Sequence, residues 1–366
     1  MDKRYNVVVV GRTGVGKSSF INYIYGEDVL KTGTGKPVTK KDAFECIEIK
    51  INDLPVRIFD SWGLEANKHE EWMDSLKKEF KKRDVTSDIS DWFHTVFYCI
   101  SAGSGRVQDF EIQTMNYFIE RRYKVNVIFT KADQSSESEI NKLSEIIDKE
   151  VNGEVEKIPV CNEEKKLMNG NKVKQFGKDK VIKMIDKGFW DSIKLRLPKR
   201  VEQKVFDRVD DWCLEQKEYI EESVNLLNAK KMKKFMKNKM EEFKDEILVE
   251  LINEERKDVL KVYNIFVENI SFESGSSFDS KESSIPIYSQ LATMAAINKI
   301  VIKPLWPFII GGIFKELFSR LSGKKNLLEA IDKFNVKIKE EIKSELIPMI
   351  ADVLEEIKKE ENKVLS

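Results

Sequence analysis

The sequence predicts an α/β domain followed by an all-α domain, and three observations carry this prediction. Residues 5–19 (YNVVVVGRTGVGKSS) have the pattern of a buried parallel strand, a glycine-rich loop and the start of a helix. Further strand-like runs lie at 44–51, 54–59, 95–101 and 125–129. Glycine is absent between Gly188 and Gly275, and apolar residues recur there at helical spacing, which favours long amphipathic helices.

Composition limits the classes of function. The chain has 366 residues and 41% hydrophobic content, enough for about two domains. Basic and acidic residues balance at 63 each, so no net field favours nucleic acid and we expect no nucleic-acid partner. Four scattered cysteines lack metal-ligand spacing, and residues 1–4 lead straight into the first strand without room for a cleavable signal peptide. A cytoplasmic protein with reduced cysteines is the expectation.

The first loop has the spacing Gly11-x-x-x-x-Gly16-Lys17-Ser18 of a phosphate-binding loop. Its glycines let successive backbone N–H groups converge on a polyphosphate, and the following helix presents its positive end to the same anion. We expect Lys17 to reach the β- and γ-phosphates and Ser18 to bind Mg²⁺. The alternative is a turn that merely joins a strand to a helix. The predicted nucleotide contacts of this loop are Gly11, Arg12, Thr13, Gly14, Val15, Gly16, Lys17, Ser18 and Ser19.

The next segment predicts an antiparallel hairpin with a metal ligand after it. Residues 44–51 and 54–59 have strand patterns and are joined by a turn at 52–53. Asp60 and Gly63 of the DSWG sequence follow the second strand. There a carboxylate can reach a metal ion and a glycine can approach a terminal phosphate. The loop at 31–41 is rich in Gly, Thr and Lys, and we expect it to close over a nucleotide.

A further motif, Thr130-Lys131-Ala132-Asp133, follows the strand-like run 125–129. With the phosphate loop and DSWG in this order, the chain resembles P-loop GTPases of the Ras-like (TRAFAC) superclass, including septin-related, immunity-associated and Era-like G domains. The resemblance implies a mostly parallel sheet with one antiparallel edge strand, GTP or GDP as ligand, and Mg²⁺ as cofactor. It also implies that Asp133 accepts two hydrogen bonds from guanine and that Lys131 lies along the base.

The same resemblance assigns roles at several other positions. Cys161 and Asn162 stand where the family contacts the guanine oxygen, and Thr39, with Thr34 as alternative, stands where it binds Mg²⁺ and senses the γ-phosphate. Residues 102–111 are similar to a sequence motif found in GTPases that dimerise through their nucleotide-binding faces. Arg106 is therefore an arginine finger supplied to a partner in a homodimer, a solvated loop residue, or an arginine that only holds the loop. The catalytic residues implied are Lys17, Thr39, Gly63 and Arg106.

One departure from the family pattern predicts slow intrinsic turnover. Small GTPases place a water-orienting glutamine after the glycine of DxxG, whereas this chain has Leu64. We therefore expect a GTP-hydrolysing switch activated by dimerisation or by a partner. The alternatives are a dynamin-like or immunity-related mechanochemical membrane GTPase, and a weakly hydrolysing GTP-dependent scaffold.

The expected domains are a G domain at 1–197, closing with a helix at 179–197, and a helical domain at 198–366. The helical domain contains an apolar segment around 285–320. Its uninterrupted run at 304–314 is 11 residues long, shorter than the roughly 18–20 that span a bilayer. Pro304, Pro307 and the pair Gly311 and Gly312 suggest a bent hairpin that forms core, a surface for a protein effector, or a tip on a peripheral membrane.

Overall fold

The computed structural model describes most of the chain. The described residues are 5–30, 44–51, 54–64, 69–166, 172–223, 229–243, 250, 253–254, 257–258, 306–318, 324–352 and 354–355. The predicted turn at 52–53 and the loop at 31–41 lie outside them. Among the described residues, contacts divide the chain into two compact units between Arg196 and Leu197. They are called the sheet unit and the helical unit below.

The sheet unit is built on six strands in the order β2-β3-β1-β4-β5-β6. The strands are β1 (Tyr5–Gly11), β2 (Phe44–Ile51), β3 (Leu54–Ser61), β4 (Thr95–Ser101), β5 (Val125–Thr130) and β6 (Glu156–Pro159). All neighbouring pairs are parallel except β2 and β3, which are antiparallel. The predicted fold class is confirmed: a mostly parallel sheet with one antiparallel edge strand, together with a C-terminal helical region.

Strand β1 explains why the sheet is organised around the first loop. All seven of its residues are buried, as expected of a central parallel strand covered on both faces. Val9 pairs with Asp60 of β3 on one side and with Phe97 of β4 on the other. Because parallel strands end at the same edge, the loops after β1, β3, β4 and β5 meet there, where ligands of open α/β sheets bind.

Four helices accompany the strands: α1 (Lys17–Tyr25), α2 (His69–Lys81), α3 (Asp109–Glu120) and α4 (Glu137–Glu150). Their ends follow local chemistry. Gly26 adopts φ 98° after α1 and donates its N–H to the Asn22 carbonyl, and Ser136 with Glu139 forms a capping box before α4. Local sequence signals therefore explain the end of α1 and the start of α4.

Large aromatic side chains fill the core on the face of the sheet that α2 and α3 cover. Phe80 lies 4.8 Å from the Phe93 ring and 4.5 Å from the Phe118 ring. Trp62 and Trp72 are buried, and the Trp72 indole N–H donates to the Trp62 carbonyl at 2.9 Å. Burying one such side chain stabilises the fold by roughly 1.5–3 kcal/mol, so this cluster holds the segment after β3 in place.

The long helix α5 corrects one expectation. We expected a helix at 179–197 that closes the first domain, but α5 runs from Lys178 to Ser223, 46 residues, with Pro198 in its interior. A proline inside a helix removes one backbone hydrogen bond and costs about 3 kcal/mol. Burial offsets this cost, because Ile193 and Leu197 before it and Val201 and Val205 after it are all buried.

The helical unit contains the rest of α5 and three further long helices among the described residues. These are α6 (Ala229–Phe243), α7 (Trp306–Phe318) and α8 (Lys324–Glu341), which continues through a π-helical turn at Ile342–Leu346. Trp212, Phe243 and Phe334 form its aromatic centre, with ring centroids 5.0 to 5.5 Å apart. The predicted amphipathic helices thus bury one face against each other.

The structure describes only part of the predicted apolar segment around 285–320. Residues 306–318 form the single helix α7, which continues through Gly311 and Gly312; the other residues of the segment lie outside the described ones, so the hairpin stays a prediction. Glycine weakens a helix by about 1 kcal/mol without breaking it, and Pro307 stands in the first turn, where its missing N–H costs nothing. The side chains of Trp306 and Phe308 lie outside the described residues, so the choice between core and tip stays open. Within the described part of the chain, no helix combines the length and apolarity needed to cross a bilayer.

Candidate nucleotide-binding site

The loop between β1 and α1 has a backbone that requires glycine. Gly11 has φ 146°, and a Cβ there would lie 2.5 Å from the Cys99 carbonyl oxygen of the neighbouring strand. Gly16 has φ 100° at the start of α1. A side chain at Gly11 would force the loop away from the sheet, whereas one at Gly16 would be strained by the positive φ. The loop therefore presents its backbone at the N-terminal end of α1, as phosphate binding requires.

Lys17 is held inside the loop that precedes it. Its Nζ donates to the carbonyls of Gly11 and Arg12, each at 3.2 Å, and the residue is only 7% exposed. Burial lowers the pKa of the Lys17 ammonium, and the nearby Asp60 carboxylate opposes this shift. The carbonyls position a cation where the converging loop would place a polyphosphate.

Ser18 and Asp60, the two predicted metal ligands within the described residues, are in contact. The Ser18 hydroxyl donates to Asp60 Oδ2 at 2.8 Å, and Asp60 is buried. A hydroxyl and a carboxylate oxygen are the donors that Mg²⁺ prefers beside phosphate oxygens. The pair therefore fits a magnesium ion. Thr39 and Thr34, the alternatives for a third protein ligand, lie outside the described residues.

The DSWG segment packs directly against the loop. The Thr13 backbone N–H donates to the Leu64 carbonyl at 3.1 Å, and Arg12 and Leu64 form an isolated parallel bridge. A Cβ on Gly63 would lie 2.6 Å from the Thr13 Cα, N and Oγ1 atoms. Gly63 is thus a glycine because Thr13 occupies the space beside it.

The Thr130-Lys131-Ala132-Asp133 motif is tied to the same loop from the other side. The Thr130 hydroxyl donates to the Val15 carbonyl at 2.5 Å, and Lys131 Nζ donates to the Gly14 carbonyl at 2.9 Å. Lys131 adopts φ 55°, a left-handed conformation, and Ala132 N–H donates to the Val160 carbonyl. Asp133 follows in the 3₁₀ turn Ala132–Gln134, where it is half-buried. The turn places Lys131 beside the phosphate loop, and Asp133 follows two residues later.

Cys161 and Asn162 begin the segment that connects β6 to α5, and the sequence did not predict the contacts that this segment makes. Cys161 is buried and exchanges two backbone hydrogen bonds with Phe176. The Asn162 carbonyl accepts from Gln175 Nε2 at 2.9 Å. Ser19 and Asn162 lie on the wall of a cavity of about 570 Å³ that Gln175, Lys178 and one face of α1 complete. Gln175 and Lys178 belong to no sequence motif, so only the folded structure identifies them as residues of the cavity wall.

Arg106 follows β4 at the same edge of the sheet. It is exposed after the 3₁₀ turn Ala102–Ser104, and its carbonyl accepts from the Ser104 hydroxyl at 2.9 Å. Arg12, also exposed, lies 5.9 Å from the Phe110 ring centroid, and the His69 ring lies 5.5 Å from the same ring. His94 is a core residue stacked on Tyr5 at 4.9 Å.

Comparison with known protein families agrees with this geometry. Residues 6–131 match a family described as 50S ribosome-binding GTPase. This range covers the phosphate loop, DSWG and the first two residues of the Thr130–Asp133 motif.

Individual relatives match parts of the chain. A probable GTP-binding protein EngB from Aquifex aeolicus is 29% identical over 136 residues, which is 37% of this chain and 70% of the relative. A GTPase Der from Ruegeria pomeroyi is 48% identical over 63 residues, 17% of this chain and only 12% of the relative. The chain thus spans a small part of Der. The septin GTPase domain from Chlamydomonas reinhardtii overlaps 54% of this chain and 95% of its own, with 15% identity and a TM-score of 0.40, too low to inform on function.

Proposed function

Because the N-terminal part of this chain is a P-loop GTPase domain, we propose that the protein binds GTP and hydrolyses it to GDP and phosphate as a nucleotide-controlled switch. The observation that carries the proposal is the convergence of two other motifs, DSWG and Thr130–Asp133, on the phosphate loop. Lys17, the Ser18–Asp60 pair and Lys131 are all fixed around residues 11–18 by hydrogen bonds.

The proposed mechanism rests on positioning and charge. Lys17 and the backbone N–H groups of the loop stabilise the charge that develops on the phosphates when water attacks the γ-phosphorus and the bond to the β-phosphate oxygen breaks. Ser18 and Asp60 would hold Mg²⁺, which neutralises phosphate charge when it is bound. Gly63 would approach the γ-phosphate, and Thr39 would join the metal from the loop before β2.

Leu64 supports slow turnover by the isolated protein. Its side chain is buried and apolar, so it offers no hydrogen bond to orient the attacking water. We propose that assembly through the nucleotide face completes the site, with Arg106 crossing to a second copy of the chain. The helical unit is the part that we propose to contact an effector protein or a membrane surface, and a cytoplasmic location stays a prediction.

Base selectivity tests the function. The protein should bind a fluorescent GTP analogue, and unlabelled GTP should displace it at a concentration at least tenfold lower than ATP. Asp133→Asn should shift the preference towards xanthine nucleotides, because an amide reverses one acceptor into a donor. Asp148→Asn, on the exposed face of α4, is the matched control and should leave selectivity unchanged. Equal affinities for ATP and GTP in the unmodified protein would refute the proposal.

A further inference from the structure

The strongest unassigned feature of the site is the Thr13 side chain. We propose that the Thr13 hydroxyl donates a hydrogen bond to the terminal phosphate of the bound triphosphate, so that Thr13 distinguishes GTP from GDP. The residue is otherwise expected only to lend its backbone to the phosphate loop. This inference rests on the proposed function and adds a specific contact for the γ-phosphate.

Position is the first argument. The backbone of Thr13 is held by its hydrogen bond to the Leu64 carbonyl. The three atoms nearest to a Cβ built on Gly63 all belong to Thr13, and Oγ1 is one of them at 2.6 Å. Gly63 is the residue expected to approach the terminal phosphate. The hydroxyl therefore lies beside the residue that we expect to approach the γ-phosphate.

The state of the hydroxyl is the second argument. Thr13 Oγ1 is buried, and among the residues that the structure describes it has no hydrogen-bond partner. Other buried threonines of the sheet unit are satisfied: Thr130 donates to the Val15 carbonyl, Thr114 to the Phe110 carbonyl, and Thr95 pairs with the Tyr5 hydroxyl. A buried hydroxyl without a partner is unfavourable. A phosphate oxygen would satisfy it.

The neighbouring side chain gives the third argument. Leu64 occupies the position beside Gly63, and its side chain has no group that can donate a hydrogen bond. Thr13 lies beside Gly63 and has a hydroxyl. Thr13 therefore supplies next to Gly63 the side-chain hydrogen-bond donor that Leu64 lacks. Thr13 does not accept the proton of the attacking water. It donates one hydrogen bond to a γ-phosphate oxygen, an acceptor that GTP has and GDP lacks.

Selective loss of triphosphate binding tests the inference. Thr13→Val keeps the shape of the side chain and removes the hydroxyl, whereas Thr13→Ser keeps the hydroxyl. We expect Thr13→Val to weaken binding of a non-hydrolysable GTP analogue about tenfold, to leave GDP binding within about twofold, and to lower the single-turnover rate. Thr13→Ser should restore the analogue-to-GDP affinity ratio. Thr114→Val, which removes a satisfied buried hydroxyl, is the matched control and should leave that ratio unchanged.

Two outcomes would overturn the inference while leaving the proposed function intact. One is a folded Thr13→Val protein with the unmodified affinity ratio. The other is an equal loss of analogue and GDP binding together with a lower melting temperature, which would make Thr13 a structural residue. Failure of the unmodified protein to bind any guanine nucleotide would instead refute the proposed function, and this inference with it.

Discussion

At the scale of single residues, His94 shows how the sheet controls protonation. It is fully buried, its Nδ1 accepts the Asn6 backbone N–H at 3.1 Å, and its ring stacks on Tyr5. Burial, followed by the charges of Arg196 and Arg57, lowers the pKa of His94 to about 3. The imidazole is therefore neutral in the folded protein throughout the physiological range.

A pH-dependent loss of stability follows for His94. Between pH 6.5 and about 3 the unfolded chain binds a proton that the folded chain excludes, so the contribution of His94 is complete above pH 6.5 and falls as pH decreases. From pH 6.5 to 4.5 the loss is about 2 kcal/mol, because the unfolded histidine is half protonated at pH 6.5 and the slope approaches about 1.36 kcal/mol per pH unit only below that value. His94→Asn keeps an acceptor for the Asn6 N–H but binds no proton. The free energy of unfolding of His94→Asn, measured in urea, should therefore fall less between pH 6.5 and 4.5 than that of the unmodified protein. An equal fall in the two proteins would contradict the lowered pKa of His94.

At the scale of an element, Arg196 attaches α5 to the sheet unit. Its guanidinium lies between the Trp92 and Tyr123 rings, 4.3 Å from each centroid. Its Nη2 donates to the Arg83 carbonyl at 2.7 Å, and the residue is fully buried. A buried cation is costly unless it is hydrogen-bonded and stacked in this way. The contact therefore specifies how this part of α5 packs on the sheet unit.

Removing that contact should weaken the sheet unit. Arg196→Ala leaves a cavity between two rings and takes the donor from the Arg83 carbonyl, so we expect a loss of about 3 kcal/mol. Leu195→Ala, at the adjacent and 37% exposed position, is the control and should change stability little. Chemical denaturation followed by near-ultraviolet circular dichroism reports on Trp92 and Tyr123. A loss for Arg196→Ala no larger than for the control would show that α5 is held by its apolar face alone.

At the scale of the whole molecule, the prediction concerns assembly. Leu64 offers no group to orient water, and Arg106 is exposed at the edge of the sheet that carries the phosphate loop. An arginine supplied to the transition state raises the turnover number by roughly 10³–10⁵-fold in GTPases where its effect has been measured. Arg106→Ala should therefore lower turnover at saturating GTP far more than it weakens GTP binding, and turnover per molecule of the unmodified protein should rise with protein concentration.

Mixing variants separates assembly from a local effect. Arg106→Ala protein mixed with Lys17→Ala protein should regain part of the activity, because each supplies the group that the other lacks. Arg121→Ala, an exposed arginine stacked on Tyr117 at the end of α3, is the control. Wild-type turnover in Arg106→Ala, or activity per molecule that is independent of concentration, would exclude an arginine supplied in trans.

Local pattern was sufficient for much of the fold and for the chemistry of the site. The bounds predicted for β2 and β4 are those observed, because strand periodicity and turn residues are properties of a short window. The phosphate loop was predictable because its glycines stand where the backbone has a positive φ, a conformation that few other residues adopt. The Thr130–Asp133 motif required a family resemblance, since four residues alone specify no ligand.

Only the tertiary structure decided which of these residues meet. The Ser18–Asp60 and Lys131–Gly14 contacts join residues 42 and 117 positions apart, and they depend on the parallel register of β1 with its neighbours. The position of Thr13 against Gly63 and the burial of Arg196 have no local signal, because a lone threonine or arginine is usually solvated. Pro198 predicts a helix end by itself. Apolar packing on both sides of it outweighs one lost hydrogen bond, so α5 continues, and a sequence window contains no information about that packing.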